Sequence, residues 1–218
     1  MIREAKNRRM LWCAGLVLVA FGLFAYLFLW ADDTFWSVLA ISVAALCSAA
    51  IVVEPEGMRA ALRLGSPRSP LTVLLLGAGS AAFLYGVFAL GNLAARGLFP
   101  FGAAEIDAVY HQGGETPRWI VASLLLLIVG PGEELFWRGY VQRRLSVATG
   151  PTSGLILAVL AYTGVHLATG NFTLILAAAV CGAFWSLLYW RTGSLWINII
   201  SHALWAAAIF VWWPMQAG

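Results

Sequence analysis

Two adjacent glutamates, Glu133 and Glu134, lie in an apolar stretch of this sequence, and Arg138 follows them. Two histidines, His166 and His202, lie in later apolar stretches. A carboxylate beside an imidazole can hold a water molecule and remove its proton, and imidazole or amide donors can stabilise an oxyanion. These residue types therefore indicate hydrolysis by an activated water.

The two glutamates have different predicted partners. Glu134 and Arg138 are four residues apart, so on a helix they lie on one face and form an ion pair. Glu133 points about 100° away around the same helix. We expect Glu134 and Arg138 to support the site, and this pair can also be purely structural.

Spacing brings Glu133 close to His166. The two residues are equally far from a Gly150-Pro151 turn, so antiparallel helices joined there place them at one depth. We expect the carboxylate and the imidazole to share one water, roughly 4–6 Å apart, with His202 facing the same space.

Asn198 precedes His202 by one helical turn and is predicted to donate to the oxyanion. Each histidine alone can also be satisfied by a backbone carbonyl. Two histidines and a glutamate can bind zinc, although the sequence has no His-Glu-x-x-His spacing. We therefore expect no cofactor, with zinc kept as a minor alternative.

The composition indicates a membrane protein. Hydrophobic residues make up 61% of the 218 residues and charged residues only 11%, whereas a soluble domain carries about 25% charged residues. The apolar blocks are about 20 residues long, enough for a helix to cross about 30 Å of hydrocarbon. We predict one all-α domain over residues 1–218, a polytopic transmembrane helical bundle of about seven spans. The predicted spans are residues 10–30, 34–53, 71–95, 118–145, 152–168, 172–190 and 194–213.

Two connections and one span have special features. A short interfacial helix is predicted within residues 54–70, and residues 96–117 are expected to form a long loop on the outer surface. Gly130-Pro131-Gly132 precedes the glutamates, and proline removes a helical hydrogen bond. The fourth span is therefore expected to kink there.

Charge predicts the orientation. Lys and Arg accumulate at the N-terminus and in alternate connections, which include Arg59, Arg63 and Arg68. This predicts a multi-pass protein of the inner (cytoplasmic) membrane, with its N-terminus in the cytoplasm and its C-terminus outside. The basic residues flank spans instead of forming one patch, so nucleic acid is not an expected partner. Cys13, Cys47 and Cys181 lie in apolar blocks without disulfide or metal spacing.

Three runs resemble a known family. They are Glu-Glu-Leu-Phe-Trp-Arg-Gly from Glu133, Tyr-Thr-Gly-Val-His from Tyr162, and Trp-Arg-Thr-Gly-Ser-Leu-Trp-Ile-Asn-Ile-Ile-Ser-His from Trp190 to His202. Together they resemble the CPBP family of CAAX proteases (type II CAAX prenyl endopeptidase-like) and bacteriocin-processing enzymes. The resemblance makes residues 118–213 the catalytic core and residues 1–117 a variable set of spans.

The resemblance implies a glutamate-dependent intramembrane endopeptidase. Glu133 and His166 would activate the water, and His202 would stabilise the oxyanion. Two positions depart from the family pattern: Tyr162 replaces a usual Phe, and Ala206 stands where the family often has Asn. Asn198 is expected to substitute for that missing donor, and Tyr162 to support the site.

Other functions remain open. Intramembrane Glu, His and Arg also build proton relays, so a proton-coupled carrier is an alternative, although the chain shows no internal repeat. A non-catalytic immunity or scaffold protein is another. The expected partners are a protein or peptide substrate in the membrane and the lipid bilayer.

Overall fold

The computed structural model describes residues 2–63 and 69–216, with side chains from Asn7 onward. Arg68 lies outside the described residues, as do the side chains of Arg3 and Lys6. Within the described ranges the chain is helical and contains no strand. An all-α architecture satisfies every backbone group within its own segment, which a bilayer requires.

Nine helices follow one another along the described chain. Their bounds are α1 Ile2–Trp30, α2 Phe35–Val53, α3 Pro55–Leu62, α4 Pro70–Leu98, α5 Gly102–His111, α6 Arg118–Thr149, α7 Pro151–Gly164, α8 Phe172–Thr192 and α9 Leu195–Trp212. All except α3 and α5 belong to segments long and apolar enough to cross a membrane. The protein is therefore a multi-pass membrane protein, and the predicted seven-span bundle is confirmed.

The two short helices lie in the connections. Helix α3 starts with Pro55, whose fixed φ and missing N–H suit a first helical position, and it buries Met58 and Ala61. The predicted short helix in this connection is confirmed. Residues 96–117 are not a plain loop as expected, because α5 forms within them and buries Ile106.

The spans begin and end at recognisable caps. The Ser69 side chain accepts from Thr72 N–H at the start of α4, and the Asn171 side chain accepts from Leu174 N–H at the start of α8. Gly150, with φ +96°, lies between α6 and α7 and permits the tight reversal that makes these helices antiparallel.

Helix α9 lies at the centre of the bundle. In its apolar window 72% of residues are buried, against 22–44% in the other spans. It packs against α4, α6 and α8. A central helix surrounded by protein can carry polar side chains without exposing them to lipid.

Candidate active site

Helix α6 positions both glutamates through an unusual backbone. Wide π-helical turns at Leu125–Val129 and Leu135–Gln142 flank the ordinary α-helical turn Gly130–Glu134. The Gly130 N–H bonds to the carbonyl of Leu125, five residues earlier. The helix therefore continues past Pro131 by widening its turns, where a kink was expected. Such π-bulges are frequent at functional sites.

Gly130 also lets α6 approach α9 closely. A Cβ built at this glycine would lie 2.8 Å from the Cα of Ala203, a distance that real Cβ atoms do not adopt. The two backbones therefore touch at a pair of small residues, as is common between membrane helices. This contact brings the polar turn of α6 against the polar face of α9.

The carboxylate of Glu134 lies at the centre of a buried cluster. Its Oε1 accepts from Arg138 Nη1 at 3.0 Å and from His202 Nδ1 at 2.8 Å, while its Oε2 accepts from Asn198 Nδ2 at 3.0 Å. Glu134 is 0% exposed and Arg138 1%. The predicted i, i+4 pair is confirmed, and its carboxylate also accepts hydrogen bonds from two residues of α9, Asn198 and His202.

Arg138 extends the cluster towards α8. Its Nη2 donates to the carbonyl of Gly182 at 3.2 Å, and its guanidinium lies over the Tyr162 ring at 4.8 Å. The same guanidinium also lies over the Trp185 ring, 5.6 Å from its centroid. One arginine therefore connects α6, α7 and α8 around the site.

Asn198 lies beneath this cluster. Its amide nitrogen donates to Glu134 and to the carbonyl of Trp185 at 2.8 Å, and the residue is 0% exposed. An amide nitrogen has two hydrogens, so both are used. This geometry differs from the expectation that Asn198 donates to an oxyanion, and it makes Asn198 a support for Glu134.

Both histidines use Nδ1 for a hydrogen bond within the protein. His202 Nδ1 donates to Glu134, and His166 Nδ1 donates to the carbonyl of Tyr162 at 2.9 Å, because a carbonyl only accepts. In each ring Nε2 is therefore the nitrogen left for chemistry. Stacking on Trp185, with ring centroids 3.8 Å apart, further fixes the plane of His202.

Glu133, His166 and His202 line one cavity of about 310 Å³. Glu133 is 6% exposed, and its Oε2 has no hydrogen-bond partner in the described protein. Tyr162 lies beside this carboxyl and lines the same cavity. The structure thus brings these three residues to a common space, while the sharing of one water stays a prediction.

Residues 115–208 match a family model described as type II CAAX prenyl endopeptidase Rce1-like. This segment is similar to the Rce1-like family. It covers a little under half of the chain and contains Glu133, His166 and His202. No curated protein and no solved structure is significantly similar to the chain. The match confirms the predicted resemblance to the CAAX proteases.

The N-terminal spans complete the cavity around the Rce1-like segment. Phe24 and Phe28 of α1 pack their rings on His166, with centroids 5.6 and 5.7 Å away. Phe35 and Trp36 of α2 form part of the same wall. Sequence reasoning missed these residues because α1 and α2 carry no polar signal within the membrane. The spans outside the family match therefore contribute to the site.

The position one helical turn after His202 is apolar. Ala206, one turn after His202, lines the cavity and contributes only a methyl group. Among the described residues no group of three His, Cys, Asp or Glu side chains is placed to hold a metal ion. Cys181 lines the cavity as a free thiol.

Proposed function

We propose that this protein is an intramembrane endopeptidase that cuts a membrane-associated protein with a water activated by Glu133 and His166. The observation that carries the proposal is the Glu133 carboxyl group, which lacks a partner at Oε2 and lines an apolar cavity together with two imidazoles. A buried carboxyl oxygen without a hydrogen-bond partner is costly in stability, which favours a functional reason for keeping it.

In this mechanism the water binds between Glu133 and the free Nε2 of His166. Glu133 takes a proton from the water while the oxygen attacks the scissile carbonyl carbon. Glu133 then gives this proton to the leaving amine nitrogen as the carbon–nitrogen bond breaks. His166 orients the water, because its Nδ1–H is fixed on the Tyr162 carbonyl.

His202 stabilises the oxyanion with the Nε2 edge of its ring. Glu134 fixes the orientation of this ring, because its carboxylate accepts a hydrogen bond from Nδ1. Arg138 and Asn198 hold that carboxylate in place. The cavity, with a volume of about 310 Å³ and a largely apolar wall, has room for apolar side chains of an extended substrate segment.

The site works in the inner membrane, with protein substrate and lipid as its partners and without nucleic acid. Lys and Arg lie predominantly at the end of the bundle that holds the N-terminus, and this supports a cytoplasmic location for that end. We propose no cofactor. Activity that persists in the presence of a chelator would support a reaction without a metal. Activity that is lost with a chelator and restored by zinc would indicate a metalloprotease.

The test is Glu133→Gln, which keeps the shape of the side chain but removes the base. Membrane proteomes of cells with wild type and with Glu133→Gln are compared for uncleaved precursors, and turnover should fall by about 10²–10⁴-fold. Glu56→Gln on the exposed surface of α3 is the matched control. Equal cleavage by all three proteins would favour the non-catalytic alternative.

A further inference from the structure

The cavity at the candidate site reaches one end of the bundle. Its wall includes Phe35 in the first turn of α2, Ala95 near the end of α4, and Thr173 in the first turn of α8. Neighbouring spans run in alternate directions, so these three positions lie at the same end. Residues of α5 and Met215 also line the cavity there. We call this end of the bundle the α5 end.

The opposite end carries the basic residues. Arg143 and Arg144 of α6 both bond to the Glu54 carboxylate between α2 and α3. Arg59 lies in α3, Arg63 follows the end of α3, and Arg191 lies in the last turn of α8. We call this the basic end. No residue of α3 or of the last two turns of α6 lines the cavity in the part of the chain that the structure describes.

The distribution of charge indicates which side of the membrane each end of the bundle faces. Among the described residues, nine Lys and Arg residues flank spans at the basic end, and two, Arg96 and Arg118, flank spans at the α5 end. Positive residues stay predominantly on the cytoplasmic side of a membrane. The basic end is therefore cytoplasmic, and the cavity extends from the catalytic groups towards the extracytoplasmic face.

The cavity lies next to a surface pocket at the α5 end. Gln112 lines both the cavity and a surface pocket that it shares with Asp32 and His111. Helix α5 covers the cavity beside this point with Ile106 and Tyr110. The cavity and the surface pocket are therefore neighbours, and Gln112 forms part of the wall of each.

We infer that the site takes its substrate from the extracytoplasmic side of the membrane. The substrate class is then an exported or membrane protein whose apolar segment lies in the outer half of the bilayer or just outside it. A prenylated C-terminus in the cytoplasm lies on the wrong side for this cavity. The identity of the substrate rests on the proposed peptidase function, but the side from which the cavity is accessible can be measured without any catalysis.

Access is tested with single cysteines in oriented membrane vesicles. Cys13, Cys47 and Cys181 are replaced by alanine, and one cysteine is introduced as Gln112→Cys or, deeper in the cavity wall, as Ala177→Cys. Val109→Cys in α5 serves as a second cavity position, and Arg59→Cys marks the basic end. The probe is a charged, membrane-impermeant methanethiosulfonate, applied to one face at a time.

We expect the cavity cysteines to react only from the extracytoplasmic face and Arg59→Cys only from the cytoplasmic face. Reaction of Ala177→Cys and Val109→Cys from the same face as Arg59→Cys, or from neither face, would overturn the inference. Reaction of Arg59→Cys from the extracytoplasmic face would reverse the orientation and overturn it as well.

The substrate side is read from the proteomes of wild type and Glu133→Gln. Cleavage sites that disappear in Glu133→Gln should map to extracytoplasmic segments of membrane or exported proteins. Sites in cytoplasmic segments would overturn this inference and leave the proposed peptidase intact. If no site depends on Glu133, the peptidase proposal fails, while the labelling result still decides where the cavity opens.

Discussion

Glu133 and Glu134 are neighbours in α6, but their carboxyl groups have opposite surroundings. Glu134 accepts from Arg138, Asn198 and His202 and is sealed among α6, α8 and α9. Glu133 faces an apolar cavity, with one oxygen that has no partner. A rotation of about 100° between consecutive helical residues is enough to separate the two environments. The difference teaches that one glutamate maintains the structure while the other is kept available.

The sharpest test of this difference exchanges each glutamate for glutamine. Glu133→Gln should lower the cleavage rate by about 10²–10⁴-fold with normal protein abundance. Glu134→Gln should instead lower the yield of folded protein, because Arg138 then lacks its carboxylate. Cleavage assays and quantification of membrane-inserted protein give the two readouts. Normal cleavage by Glu133→Gln would contradict the assignment.

The next test removes the cation of the sealed cluster. Arg138→Ala leaves the Glu134 carboxylate buried without its ion pair and should destabilise the protein by about 3–5 kcal/mol. Thermal unfolding in detergent measures the loss. Arg191→Ala is the control, since Arg191 lies at the end of α8 over the ring of Trp190, 5.2 Å from its centroid. If Arg138→Ala is abundant and stable but inactive, Arg138 contributes to the reaction and not to stability, and the structural assignment is wrong.

On the cavity side, a donor can be added beside His202. Ala206→Asn places an amide one turn after the histidine, where the cavity wall is a methyl group. Since removal of one oxyanion donor costs about 10²–10³-fold elsewhere, a donor added without optimisation should raise the rate by at most about 10-fold. Ala206→Leu, which adds volume without a donor, is the control. A gain with leucine equal to that with asparagine would refute an electrostatic cause.

Glu105, a third carboxylate, extends the comparison to the α5 end of the bundle. Burial acts to raise its pKa, but hydrogen bonds from the Thr173 hydroxyl and from the N–H groups of Thr173 and Phe172 lower it overall. Because the pKa of Glu105 is lowered in the folded protein, this contact contributes its full stability at pH values above the ordinary pKa of about 4.5. The contribution disappears as the pH falls through the lower folded value.

Glu105→Gln should therefore lower the melting temperature slightly at pH 7 and have less effect in strongly acidic buffer. Glu115→Gln, on the exposed segment after α5, is the control for a change of charge at this surface. The measurement is the melting temperature of each variant at both pH values. A deficit of Glu105→Gln that is larger in acid than at pH 7 would contradict the expected sign.

The sequence was sufficient for the spans and for the pair on one helix. Apolar length specifies a membrane helix, and the i, i+4 spacing of Glu134 and Arg138 determines their contact within a single element. Composition and spacing did not reveal how α9 is rotated against α6. The close approach of Gly130 to Ala203 determines this rotation, and it turns the amide of Asn198 towards Glu134. The aromatic wall from α1 was missed for a similar reason, since apolar residues that face lipid or a cavity look alike in sequence.

The bond between Glu134 and Arg138 also bears on how the protein is made. Helix α6 is synthesised before α8 and α9, so Gly182, Asn198 and His202 do not yet exist when this segment meets the bilayer. Arg138 is one turn away on the same helix and is available from the start. The acid and the base can therefore enter the membrane as a mutually neutralised pair, which reduces the insertion cost of each charge. The later helices then replace lipid around a pair that is already formed, and Glu134 passes from a local partner to its full set of donors as translation ends.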